Sequence, residues 1–314
     1  MVKKIKPAIE RNSITFIDNM VYSKAYAPLI DAELELKMSI MGQFGASEMK
    51  AATGMVMGDA RKEENVPKKP AILWIPGGGF RGVPGSDKNL MVSEMQFLAE
   101  AGYIVASMYY RSSGEAHFPA QIIDVKSAIR YLRANADKYN LDSDKIAVAG
   151  RSAGGNLTAL ACMNLPGYDE GDNLEYSSDV CMGINYFGPS DMFKGFAQTR
   201  ELLAKPNPRW KTVEESHAGA LIGGSELSKP ELVRQASPVF HVNDKTAPML
   251  ILHGDADAMV ECSHSIDMCE AMGAAGKECE LYILEGAGHG SEEFWQDCVK
   301  EIVLEYLGRY LKLN

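Results

Sequence analysis

A serine in the run Gly150-Arg151-Ser152-Ala153-Gly154-Gly155-Asn156 is the residue of this sequence best placed to do chemistry. The run is a G-x-S-x-G, set between an apolar segment of strand character, Lys145–Ala149, and a segment of helical period that begins at Ala153. In that setting a tight strand-to-helix turn strains its central serine and projects the hydroxyl above a sheet. Glycines on either side let neighbouring backbone approach. The free N–H groups opening the next helix favour a developing oxyanion. The chemistry expected is acyl transfer by a nucleophilic serine. A plain Gly/Ser turn is the alternative, and the strand and helix around it argue against that reading.

A serine hydroxyl is a weak nucleophile and needs a base that is itself oriented by a third group. Of the six histidines, His117, His217, His241, His253 and His264 fall in loop, insert or strand-end segments. His289 differs, because it lies in the glycine-rich run Glu285–Gly290 after the last strand-like segment, a loop able to carry an imidazole over a sheet edge. The orienting acid is expected between serine and histidine, in the run His253–Val260. Two aspartates compete there. Asp255, directly after Gly254, suits closing the turn by accepting backbone N–H bonds, which leaves Asp257 to reach the imidazole. Preorganised N–H donors are also required. Gly78 and Gly79, in Pro76-Gly77-Gly78-Gly79-Phe80 after the strand-like Ala71–Ile75, are expected to supply them with the N–H of Ala153. A phosphate loop fails on spacing, since neither GxxxxGK[ST] nor G-x-G-x-x-G is present. A flexible turn remains the other reading of the triplet.

Those residues need a framework that brings distant turns to one edge. Near-continuous apolar runs at Ala71–Ile75, Tyr103–Met108, Lys145–Ala149, Val180–Phe187, Met249–Leu252 and Glu280–Leu284 read as parallel strands covered on both faces. Between them, Leu90–Ala101, Ala120–Tyr139, Ala153–Met163, Ser263–Gly273 and Glu292–Leu311 carry apolar residues at helical spacing. The alternation predicts an α/β fold, a mostly parallel central sheet with helices on both faces. Residues 70–187 and 246–314 make this core. The insert between them, 188–245, is too long for a bare loop and should carry helices of its own. It holds Phe193, Phe196 and Trp210, with Pro206 and Pro208 as breakers. As a cap it would lie over the carboxyl ends of the strands, where open α/β sheets bind ligands. Residues 1–69 should add strands and a Met-rich insertion, Met41–Lys69, packed on the core. Its Met41, Met49, Met55 and Met57 suit an oligomer contact, or else a soft wall over a binding site.

Composition narrows the partners. With 314 residues and 46% hydrophobic content there is material for a large core, which excludes general disorder. A formal charge of −10 argues against nucleic acid, whose phosphates want clustered Lys and Arg. No run approaches the roughly 20 apolar residues of a membrane helix, and the N-terminal lysines have no apolar stretch behind them. Six cysteines without a CxxC read as unpaired thiols in a reducing compartment, so the expected location is cytoplasmic. Neither a structural zinc site nor an organic cofactor is called for.

Taken in order, PGGGF, YYR (Tyr109–Arg111), HFPAQIIDVKSAIRYLRANADKY (His117–Tyr139), GRSAGGN, ASPV (Ala236–Val239), ILHGDADAMV (Ile251–Val260) and LEGAGHG (Leu284–Gly290) resemble the α/β-hydrolase superfamily. Within it, the chain is similar to hormone-sensitive-lipase-like carboxylesterases and to bacterial acetyl xylan and feruloyl esterases, over roughly residues 70 to 312. The resemblance implies the nucleophile at Ser152, the acid at Asp257, the base at His289, and oxyanion donors at Gly78, Gly79 and Ala153. It further implies a cofactor-free serine carboxylesterase acting on small esters with acetyl, short or feruloyl-type acyl groups. Homodimers are common for such a fold. A peptidase of the same fold and a non-catalytic ligand-binding relative are the other functions compatible with it. Three positions depart from the family pattern. Pro76 replaces a frequent His behind the glycine loop, Arg151 stands where an acid is common, and Glu261 takes the place of a usual Pro.

Overall fold

The computed structural model describes residues 13–44, 67–82 and 88–313. Strands β1 (Thr15–Ala27) and β2 (Ala32–Gly42) are followed by β3 (Lys69–Ile75), helix α1 (Met91–Ala101), β4 (Ile104–Met108), α2 (Ala120–Ala134), β5 (Leu141–Arg151) and α3 (Ala153–Cys162). After β6 (Gly183–Tyr186) the insert contributes α4 (Met192–Leu203), α5 (His217–Ile222) and α6 (Pro230–Gln235). The chain then returns through β7 (Met249–Gly254), α7 (Ser263–Ala274), β8 (Cys279–Leu284) and α8 (Asp297–Tyr310). The strands form one eight-stranded sheet in the order β1-β2-β4-β3-β5-β6-β7-β8. Pairing is antiparallel from β1 to β2 and from β2 to β4, and parallel elsewhere. This is the architecture of α/β-hydrolases.

Burial explains the apolar runs. Strands β4, β6 and β7 are buried at every residue, because helices cover both faces of the sheet centre. On one face, Val125, Ile129 and Leu132 of α2 and Leu157 of α3 pack on Leu73, Ile146 and Val148. On the other, Met95 and Leu98 of α1 and Val303 and Leu307 of α8 cover Ile72, Ile184 and Leu252. Truncating a buried leucine such as Leu132 to alanine costs about 2–5 kcal/mol at sites of this kind. At the sheet edge β8 is only half-covered, which explains its lower apolar continuity.

Several boundaries differ from the periodicity. Helix α2 stops at Ala134, where Asn135 turns its N–H back to the Tyr131 and Arg133 carbonyls, so residues 135–139 are not helical. The C-terminal segment is two pieces, a short 3-10 turn at Glu292–Trp295 and then α8, separated by the extended Gln296. Met41 is a strand residue opposite Val105 and only 2% exposed, so it belongs to the core; Met49, Met55 and Met57 lie outside the described residues. Cys269 and Cys279 are paired as a disulfide, contrary to six unpaired thiols. Helix α7 turns into β8 and brings their Cα atoms to 5.3 Å, within disulfide reach, so the cysteines do not point to a reducing compartment. No described helix is long and apolar enough to cross a membrane.

The insert carries helices because its sequence caps them. Asp191 accepts the N–H groups of Phe193 and Lys194 at the start of α4, and Ser216 accepts that of Gly219 at the start of α5. Asn156 of α3 donates to the carbonyls of Pro189 and Ala236, which fastens both ends of the insert to the helix behind Ser152.

Candidate active site

Strand β5 and helix α3 meet at Ser152, whose backbone sits at φ 53°, ψ −119°, a conformation L-residues rarely adopt. The turn is held by its surroundings: the Ser152 N–H donates to the Tyr186 carbonyl at 2.9 Å. Gly154 is glycine for a close approach, since a Cβ there would run into the carbonyl oxygens of Ile75 and Pro76. The hydroxyl is thereby presented at the carboxyl end of the parallel strands.

Three side chains distant in sequence converge on this point. His289 Nε2 lies 2.8 Å from Ser152 Oγ, and His289 Nδ1 lies 2.7 Å from Asp257 Oδ2. A carboxylate only accepts, so the imidazole proton sits on Nδ1 and Nε2 is left to accept from the serine hydroxyl. Asp257 is 6% exposed, and its Oδ1 takes the N–H groups of Met259 and Val260 at 2.8 and 2.9 Å. Burial pushes its carboxyl up, but hydrogen bonds from His253, His289 and the Val260 N–H together outweigh this and hold it well below the usual carboxylate range. Asp255 behaves differently: it is exposed and accepts the Gly286 N–H at 2.6 Å, closing the loop. The ring of Phe187 stands edge-on to the His289 imidazole at 4.8 Å and packs on Phe294, which fixes the ring plane.

The glycine loop after β3 faces the same point. Gly79 and Ala153 line the cleft beside Ser152; Gly78 stands one residue behind, its carbonyl accepting the Arg81 N–H. Both glycines have positive φ, 99° and 61°. The departure at Pro76 is made good by Tyr110, whose buried hydroxyl donates to the Pro76 carbonyl at 3.0 Å and supports the loop from below. Arg151 pairs with Glu94 of α1 at 3.2 Å, so the reversed charge beside the serine is matched. Burial, ahead of the opposing Arg151 charge, pushes the Glu94 carboxyl up to about 7.

A cleft opens over Ser152. Its insert side is built from Met192, Leu202, Trp210 and His217, and Met259 and Val260 close it from the β7 loop. The remaining histidines hold backbone. His253 donates to the Val260 carbonyl and accepts from Ser265, which steadies the Asp257 loop. His264 accepts the N–H groups of Ser190 and Asp191 at the start of the insert, and His117 and His241 bond carbonyls of the insert. Tyr110, Phe187 and His217 were not singled out by spacing. Only Tyr110 left a sequence signal, as part of the YYR run. Among the described residues no group of three or more His, Cys, Asp or Glu could hold a metal ion.

Known proteins resemble this chain in sequence and in fold. The BD-FAE family profile matches residues 59–272, more than half of the chain. The chain is 31% identical over 237 residues to Esterase LipC of Mycobacterium tuberculosis, covering 74% of this chain and 56% of that protein. It is 24% identical over 248 residues to an acetylxylan esterase of Xylanibacter ruminicola, covering 78% and 46%. The chain thus spans about half the length of the curated relatives it matches. A solved structure of a truncated carbohydrate esterase from gut microbiota superimposes with a TM-score of 0.73 at 26% identity, over 97% of this chain and 98% of that one. A G-x-S-x-G turn between β5 and α3, a glycine loop after β3 and a family profile across both lead to one assignment: this chain belongs to the BD-FAE family of α/β-hydrolases.

Proposed function

We propose that the protein is a serine carboxylesterase for small esters, with Ser152, His289 and Asp257 as its catalytic triad. The observation that carries this reading is the unbroken relay of 2.8 and 2.7 Å contacts from Oγ through the imidazole to a buried carboxylate, opening on a cleft. Ser152 Oγ attacks the ester carbonyl carbon as its proton passes to His289 Nε2. Asp257 then stabilises the imidazolium. The carbonyl oxygen becomes an oxyanion received by the N–H groups of Gly79 and Ala153, with Gly78 extending the donor loop. As the tetrahedral intermediate collapses, the alcohol leaves with the proton from Nε2. Water repeats the sequence on the acyl-enzyme and releases the acid.

Met192 and Leu202 line the cleft with Ser152 and present apolar surface to an acyl group. Acetyl esters are the substrates proposed, in line with the names of the acetylxylan esterase and carbohydrate esterase relatives. Feruloyl-type acyl groups are the next candidates, with Trp210 as the ring that would meet them. The test is a series of acetyl, butyryl and feruloyl esters with wild type and Ser152→Ala. The variant should keep its fold and lose at least about 10⁴-fold in kcat. Ester hydrolysis by Ser152→Ala at the wild-type rate would sink the reading.

A further inference from the structure

The insert side of the cleft carries a second imidazole that the reaction above does not use. His217, the first residue of α5, lines the cleft together with Ser152 and Gly79. Its ring lies on the Gly79 backbone so closely that a Cβ at position 79 would overlap Nδ1, and this is what keeps residue 79 a glycine besides its positive φ. Nδ1 is buried against that backbone, with the Gly79 main chain as its polar neighbour, so the nitrogen left to a ligand in the cleft is Nε2. From the other side Trp210 meets the ring edge-on, with centroids 5.2 Å apart and planes at 82°. Arg81, at the end of the glycine loop, donates to the carbonyls of Glu215 and Ser216 and ties the start of α5 to that loop. Burial first, then the charges of Arg209 and Arg81, holds the imidazole down to about 4, so at neutral pH it carries one donor and one acceptor. Gln198 and Thr199 of α4 line the same wall, but His217 is the polar group set between the Gly79 loop and Trp210, and a polar group fixed there costs free energy unless a ligand completes its hydrogen bonding. A short acyl group has no hydroxyl to offer, so the partner belongs to the alcohol part of the ester.

We propose that His217 is a specificity-determining residue that hydrogen-bonds a hydroxyl on the alcohol part of the substrate, next to the scissile ester. The inference rests on the esterase reading above and adds the residue that selects the alcohol. A site built to bond a hydroxyl discriminates against the analogue without it, because the site group is left unpaired. The experiment measures kcat/KM for glyceryl monoacetate and propyl acetate, two acetyl esters that differ in free hydroxyls. Wild type should prefer glyceryl monoacetate. His217→Phe, which keeps a ring against Trp210, should lose about tenfold to a hundredfold on glyceryl monoacetate and less than about threefold on propyl acetate. His217→Gln should recover part of the loss. Equal losses on both esters, or none, would overturn the role of His217 while leaving the esterase reading intact. Wild type inactive on both esters would instead remove the esterase reading, and this inference with it.

Discussion

The sheet side of the cleft and its insert side are built by different means. On the sheet side each group of the proposed triad hangs from a turn that is itself bonded: Ser152 to Tyr186, the Gly286 loop that carries His289 to Asp255, and the Asp257 carboxylate to the N–H groups of Met259 and Val260. On the insert side the cleft is lined by long side chains, Met192 and Leu202 of helix α4 and Trp210 of the segment after it. Backbone-fixed turns hold atoms to the tolerance that proton transfer needs. A wall of methionine, leucine and tryptophan can be repacked without disturbing them. The difference separates reaction from selection: changes on the sheet side should act on kcat, changes on the insert side on KM and substrate preference.

The hardest test of that division is Asp257→Asn. The amide would donate to His289 Nδ1, forcing the proton onto Nε2, where the imidazole can no longer accept from Ser152; kcat should fall by about 10⁴-fold with the fold retained. The same variant reports on stability. Because the folded carboxyl of Asp257 is held below its unfolded value, its contribution is complete above the ordinary carboxylate range and is lost as pH falls toward the depressed value. Urea midpoints measured from pH 5 down to pH 3 should therefore fall further for wild type than for Asp257→Asn.

Gly79→Ala comes next. Its Cβ meets the His217 ring and φ is 61°, so the N–H proposed to receive the oxyanion moves and kcat should drop by about 10²–10³-fold. On the insert side Trp210→Ala should raise KM several-fold, with kcat within about threefold of wild type, because it removes binding surface but no reacting group. A loss confined to kcat would erase the distinction between the two sides. The smallest effect expected is Asp255→Ala. It removes a loop-closing acceptor from Gly286 and should cost about 1 kcal/mol in chemical denaturation, with kcat/KM nearly unchanged. An activity loss at Asp255 as large as at Asp257 would mean that the two aspartates do not divide their work as their bonds suggest.

Local chemistry made the frame legible. The strand-like runs became β3 to β8, the helical periods became α1 to α3, α7 and α8, and the turns around Ser152, Gly79, Asp257 and His289 all fall at strand ends. Glycine spacing and apolar period are properties of short windows, and short windows dictate turns, strands and helices. The reach from Ser152 to His289 spans 137 residues, and no window of that kind contains it. The sheet order supplies it by laying β5, β6, β7 and β8 side by side with their carboxyl ends aligned.

What only the tertiary structure decided has the same non-local origin. Tyr110 under the glycine loop, Phe187 against the imidazole, Glu94 beside Arg151 and the position of His217 over Gly79 each join segments that no periodicity connects. By itself the sequence determined the strained serine turn, its alternating framework and the order of the candidate residues. The packing of helices and insert on the sheet decided which side chains meet, because contact between distant segments depends on how whole elements bury their apolar faces.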